Sequence, residues 1–189
     1  MVLNRNIFSA AARVALLALL LLGTGCISSV QPIKLKAPAA ISTVFLMEFP
    51  NRPDIEQVPE SFAERTEAEL SARNMNSERV AFNTYAKTFR SKRATEARLA
   101  EAIKLAPNTP FVALVETRVR FYTYLSGRFR WNVTGRVTFV HNGNLENART
   151  ESFEMAAFLQ LDSQDESDAL AYVEVAIAER IGTAADKFI

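Results

Sequence analysis

Five arginines fall in one alternating phase across two consecutive stretches, FVALVETRVRFYTY (Phe111 to Tyr124) and RFRWNVTGRVTFV (Arg128 to Val140). They are Arg118, Arg120, Arg128, Arg130 and Arg136, and Tyr122 and Tyr124 share their phase. A row of guanidinium groups offers bidentate geometry to carboxylate or phosphate, and tyrosines add amphipathic contact area. The same pattern also describes the ordinary solvated face of a strand, and at sequence level both readings stand. Other chemistries have less support. His141 is the only histidine and Cys26 the only cysteine, so a zinc site or a catalytic triad has no second partner. His141 then reads as a solvated turn residue. Ser126, in LSGR, lacks the Gly-x-Ser-x-Gly elbow of serine hydrolases. Asp162, Asp165, Glu166 and Asp168 lack the mid-loop glycine of a calcium loop and read as the acidic start of a helix. Without a Gly-rich phosphate loop, the expectation is no catalytic residue, no metal and no cofactor. The sequon Asn132-Val133-Thr134 falls within a strand and is read as unmodified.

The remaining group with its own chemistry is the thiol of Cys26. It follows ALLALLLLGTG, an apolar run about half the ~20 residues that a membrane-crossing helix needs. Arg5 and Arg13 precede that run, as in a secretory signal. Small residues leading straight into Cys26 resemble the lipobox of bacterial lipoproteins, although Gly23 stands where leucine is usual. The resemblance implies that residues 1–25 are a signal peptide and that Cys26 is acylated. Three acyl chains would attach the protein firmly, since two chains or signals suffice. Neither Ile27 nor Ser28 is the aspartate that marks inner-membrane retention in such proteins. The outer membrane, with the chain facing the periplasm, is therefore the expected location.

Removing residues 1–25 takes away two arginines and no acid. The remaining Lys+Arg total is then one below the 21 Asp+Glu, a formal charge of −1. This near-neutral balance argues against a nucleic-acid partner. Residues 26–40, with Pro32 and Pro38, read as a tether, and residues 41–189 as one domain.

Within that domain STVFLMEF (Ser42 to Phe49) reads as a buried strand ended by Pro50 and Pro53. PESFAERTEAELSARN reads as a helix opened by Pro59, with Phe62, Ala63, Thr66 and Leu70 on one side. A short strand is expected at Arg79 to Tyr85. A second helix in KRATEARLAEAIKLAP carries Leu99, Ala102, Ile103 and Ala106 on one side. Two long strands follow, joined at Leu125-Ser126-Gly127, with Gly135 on the apolar face where a larger neighbour would pack. Asn142-Gly143 signals a hairpin into a strand over 145–161, and a helix from Asp168 to about Lys187 closes the core. The order β-α-β-α-β-β-β-α predicts an α+β fold, a mostly antiparallel sheet with helices packed on one face.

This layout, with VFLMEF leading into a helix and the hairpin strand RFRWNVTGRVTFVHNGN, resembles a group of envelope proteins. The group comprises the curli-secretion lipoprotein, the lipoprotein activators of penicillin-binding proteins and the N-terminal domain of the Tol-system β-propeller protein. The resemblance implies an accessory or scaffold module of an envelope assembly or transport machine, binding a protein partner. The alternative is a carrier for lipid or lipopolysaccharide, which needs an apolar cavity lined by Phe129, Trp131 and Phe139.

Overall fold

The computed structural model describes residues 39–48, 58–80, 94–160 and 165–189, all within the unit Pro32–Ile189. Cys26, the signal segment and Asp162 lie outside the described residues. The elements are β1 (Ala39–Glu48), α1 (Glu60–Ser71), β2 (Met75–Arg79), α2 (Thr95–Leu105), β3 (Phe111–Leu125), β4 (Arg128–His141), β5 (Arg149–Leu159) and α3 (Glu166–Phe188). The class is α+β, in the expected order. Three boundaries differ. β1 starts at Ala39 and takes the last two residues of the expected tether. The second strand comes earlier than Arg79, because Asn74 at φ 61 turns the chain directly out of α1. The rest of that expected strand, residues 81–85, lies outside the described residues. Pro59 sits just before α1, at the cap position, with Glu60 opening the helix.

Five strands form one sheet in the order β2-β1-β3-β4-β5. It is evenly mixed: β1 runs parallel to both β2 and β3, while β3–β4 and β4–β5 are antiparallel. Parallel neighbours require crossover helices, and crossovers are right-handed. The step from β1 through α1 to β2 moves one way across the sheet. The step from β2 through α2 to β3 moves back past β1, so α2 must lie on the opposite face. The helices are accordingly split, where a single covered face was expected. Against α1 and α3 pack Ile41, Phe45, Met47, Phe111, Ala113, Val115, Val133, Val137 and Phe139. Against α2 pack Val44, Leu46, Val112, Leu114 and Val140, with Leu99, Ala102 and Ala106 from the helix side. This two-sided burial explains why Ile41 to Met47 is buried at every position. The polar members of that run are satisfied there: Ser42 Oγ lies 2.7 Å from Thr109 Oγ1, and Thr43 Oγ1 lies 2.7 Å from Ser77 Oγ.

The first core holds the aromatic residues named for the carrier alternative. Phe139 is 1% exposed and stacks on Phe188, Trp131 is buried, and Phe129 packs against the cluster. Buried charge also ties elements together. Glu174 of α3 accepts from Arg65 Nε at 2.7 Å and from Ser61 Oγ at 2.9 Å, both on α1. Arg79 of β2 donates to Glu67 and Glu60 of α1. The bonds to Glu67 contribute most to raising its guanidinium pKa, so the group stays charged throughout the accessible pH range.

Gly135 faces Phe153 of β5 as its cross-strand partner. A Cβ at position 135 would lie 2.0 Å from the Phe153 ring, so the ring occupies the space that only glycine leaves free. Gly135→Ala should swing Phe153 outward and cost about 1–2 kcal/mol, read as a lower urea midpoint. In a Phe153→Leu background the same change should cost markedly less. Equal costs in both backgrounds would refute the packing explanation.

The two turns flanking β4 differ. Ser126 (φ 50) and Gly127 (φ 78) form a two-residue loop whose left-handed residues match the twist of the hairpin. Asn142 (φ 51) and Gly143 (φ 66) make the same local turn, closed by Asn144 N–H to His141 O at 3.1 Å. A 3-10 turn over Leu145–Asn147 follows, so β5 begins only at Arg149. The Asn-Gly signal thus marks a turn within a wider connection. His141 lies at its edge, stacked on Phe111 with centroids 4.6 Å apart.

Candidate functional site

The register assembles the arginines into successive rows on the α2 side of the sheet. One row runs Leu46, Glu116, Arg136, Ser152, and the next Glu48, Arg118, Thr134, Glu154. Then come Arg120, Asn132 and Ala156, followed by Arg130 opposite Phe158, and finally Leu125 opposite Arg128. Every row contains an arginine, and successive regular rows lie about 6.6 Å apart along the strands, at two residues per step.

α2 divides this face into two parts with different electrostatics. Beneath the helix, Glu116 is only 8% exposed. It accepts from Arg98 Nε at 2.5 Å and lies 3.1 Å from Arg136 Nε. Arg136 also donates to Thr95 Oγ1 on α2 at 2.8 Å. Arg136 is thereby committed to holding α2 on the sheet. Arg118 is intermediate, 3.7 Å from Glu48 with both side chains more than half exposed, a pair that contributes little. Beyond it, no carboxylate among the described residues pairs with Arg120, Arg128 or Arg130.

Arg130 lies over the Tyr122 ring at 4.6 Å and over Phe158 at 5.9 Å, a cation–π arrangement that orients the guanidinium. This geometry depends on a β-bulge. Phe121 pairs with Trp131, but Thr123 pairs with Arg130, leaving Tyr122 as the extra residue. The phase of the strand reverses there. Tyr124 therefore pairs with Phe129 and packs edge-on against it at 5.1 Å on the α1/α3 side. The expectation that Tyr124 shares the arginine face is corrected by this bulge, which alternation in the sequence does not reveal.

Two adjoining depressions follow the rows. A groove of about 760 Å³ runs past Leu46, Arg98, Glu116 and Arg136 to Arg118 and Thr134. A cleft of about 370 Å³ shares Arg118 and Thr134 and continues to Arg120, Tyr122 and Asn132. At the hairpin end Phe121, Tyr122, Tyr124, Leu125 and Phe158 remain exposed, a concentration typical of contact surfaces. Sequence reasoning missed Glu116, Arg98 and Phe158. Glu116 did leave a signal, as a lone charge closing the apolar run FVALV. Arg98 and Phe158 joined the site only through α2 packing and β5 pairing.

Fold and site together describe an α+β domain with a basic, aromatic-flanked strand face at one end of its sheet. No protein-family model matches the chain, and no curated protein matches it. Solved structures similar to it include PelC and two bacterial lipoproteins. The PelC dodecamer from Paraburkholderia phytofirmans is 15% identical, covering 80% of this chain and 92% of its own, with a TM-score of 0.39. Lipoprotein GNA1162 from Neisseria meningitidis is 18% identical over 77% of this chain and 99% of its own, TM-score 0.37. A minor lipoprotein from Acinetobacter baumannii is 14% identical over 80% and 94%, TM-score 0.40.

Proposed function

We propose that this protein is a lipid-anchored accessory or scaffold protein of the bacterial envelope, facing the periplasm from the outer membrane. Acylated Cys26 attaches it, and the outer arginine rows recruit a protein partner. The lipobox-like run supports the anchor. The contact surface rests chiefly on one observation: Arg120, Arg128 and Arg130 lack carboxylate partners among the described residues while exposed aromatic rings surround them. An uncompensated cationic row steers and orients an anionic partner.

The topology suits such a role. The chain arriving from the N-terminal side joins the sheet at Ala39, beside the start of β3, because β1 and β3 are parallel and Ile41 pairs with Phe111. The hairpin tip lies at the far end of β3, whose 15 residues span about 50 Å. The contact surface and the point of attachment to the domain are therefore at opposite ends of the sheet.

Two measurements test this reading. Mass spectrometry of the native protein should find a chain beginning at an acylated Cys26; an unmodified thiol would remove the anchor. A photo-crosslinking residue at Tyr122, in intact cells, should give a discrete protein adduct. The triple variant Arg120→Gln, Arg128→Gln, Arg130→Gln should cut its yield at least tenfold at unchanged expression. An unchanged yield would exclude the arginine rows as the contact surface.

A further inference from the structure

We propose that the outer edge of β3, from Val119 to Leu125, receives an extended acidic segment of the partner, added to the sheet as a further strand. The inference rests on the reading that the arginine end binds a protein. β1 accompanies β3 only as far as the pair Glu48–Arg118, whereas β4 continues to the pair Leu125–Arg128. The last seven residues of β3 thus have a strand on one side and, among the described residues, none on the other. Strand residues address their two sides alternately, so this stretch offers main-chain donors and acceptors to an incoming strand.

Charge selects the occupant. Natural edges are commonly guarded by an outward cation and a bulge, and here Arg120 and the bulge at Tyr122 occupy those places. Antiparallel pairing with a second copy of this edge would set arginines near one another, which is unfavourable. A strand bearing carboxylates on the α2 side meets Arg120 instead, with Arg130 one strand further in. Its opposite face meets Phe121, which is 37% exposed. The matching segment alternates acidic and apolar residues.

The test uses the full-length chain in detergent micelles and a fluorescein-labelled octapeptide of alternating Glu and Val, followed by anisotropy. The peptide should bind at least tenfold more tightly than its Lys/Val counterpart, and at least tenfold more tightly than its backbone N-methylated form. Arg120→Glu, at an exposed position that tolerates the change, should reverse the preference between the Glu and Lys peptides. If the N-methylated peptide binds equally well, edge pairing is wrong while the anion-binding face survives. If dextran sulfate or phosphatidylglycerol vesicles bind and the Glu/Val peptide does not, the occupant is not a peptide and the inference fails. If none of these probes binds, the inference and the reading beneath it fall together.

Discussion

Glu116→Leu is expected to destabilise the protein by about 3 kcal/mol, the lower end of the range for breaking a buried ion pair by removing one partner. Glu116 is the anionic centre of a group in which Arg98 Nε donates at 2.5 Å and Arg136 Nε lies at 3.1 Å. The Arg98 side chain is 12% exposed and that of Arg136 39%. Arg136 has room to turn toward water, whereas Arg98 is held close to the α2–sheet interface. That asymmetry places the cost at the lower end of the range. In a domain of this size, about 3 kcal/mol corresponds to a fall in Tm of roughly 6–12 °C. Adding Arg98→Met should recover part of the loss, because it removes a largely buried cation beside the space that Glu116 occupied. Urea titration with an unchanged m-value checks both variants. If the double variant is no more stable than Glu116→Leu alone, the charge explanation is wrong and shape is what matters.

Phe139→Ala is expected to cost about 4 kcal/mol, within the range for truncating a buried phenylalanine. The ring is 1% exposed and stacks on Phe188 with centroids 5.4 Å apart and planes 22° apart. Phe188 in turn meets Phe111 edge-on at 6.0 Å. These three rings join β3 and β4 to the end of α3, so the variant loosens the C-terminal helix as well as opening a cavity. Phe188→Ala should be costly for the same reason. The double variant should fall short of the sum by about 1 kcal/mol, the coupling of an aromatic pair beyond its buried area. Strict additivity would show that the stacking seen between the rings contributes nothing of its own.

Much of this architecture follows from local pattern. The helix faces at Phe62, Ala63, Thr66 and Leu70, and at Leu170, Val173, Ile177 and Ile181, are buried as their spacing implies. Helical periodicity reports burial directly, and no long-range information is needed to read it. The packing of a large neighbour over Gly135 was legible for the same reason, since a glycine in an apolar phase leaves a gap that something fills. The run FVALV at the start of β3 has no polar phase, the pattern of a strand buried on both faces. The division of the arginines was not legible. Nothing in the alternation of Arg118 to Arg136 indicates that a helix covers one end of the row, and Tyr124 looks like Tyr122 until the bulge is seen.

The sequence by itself determined the order of helices and strands, the apolar sides of the long elements, and where the chain carries the lipobox-like run ending at Cys26. These properties depend on neighbours a few residues apart. Tertiary structure alone decided that the sheet is half parallel, that α2 crosses to the face opposite α1 and α3, and that Arg136 is bound to Glu116 while Arg120, Arg128 and Arg130 keep no carboxylate partner among the described residues. Those outcomes come from the hand of crossover connections and from strand register, which relate residues far apart in the chain.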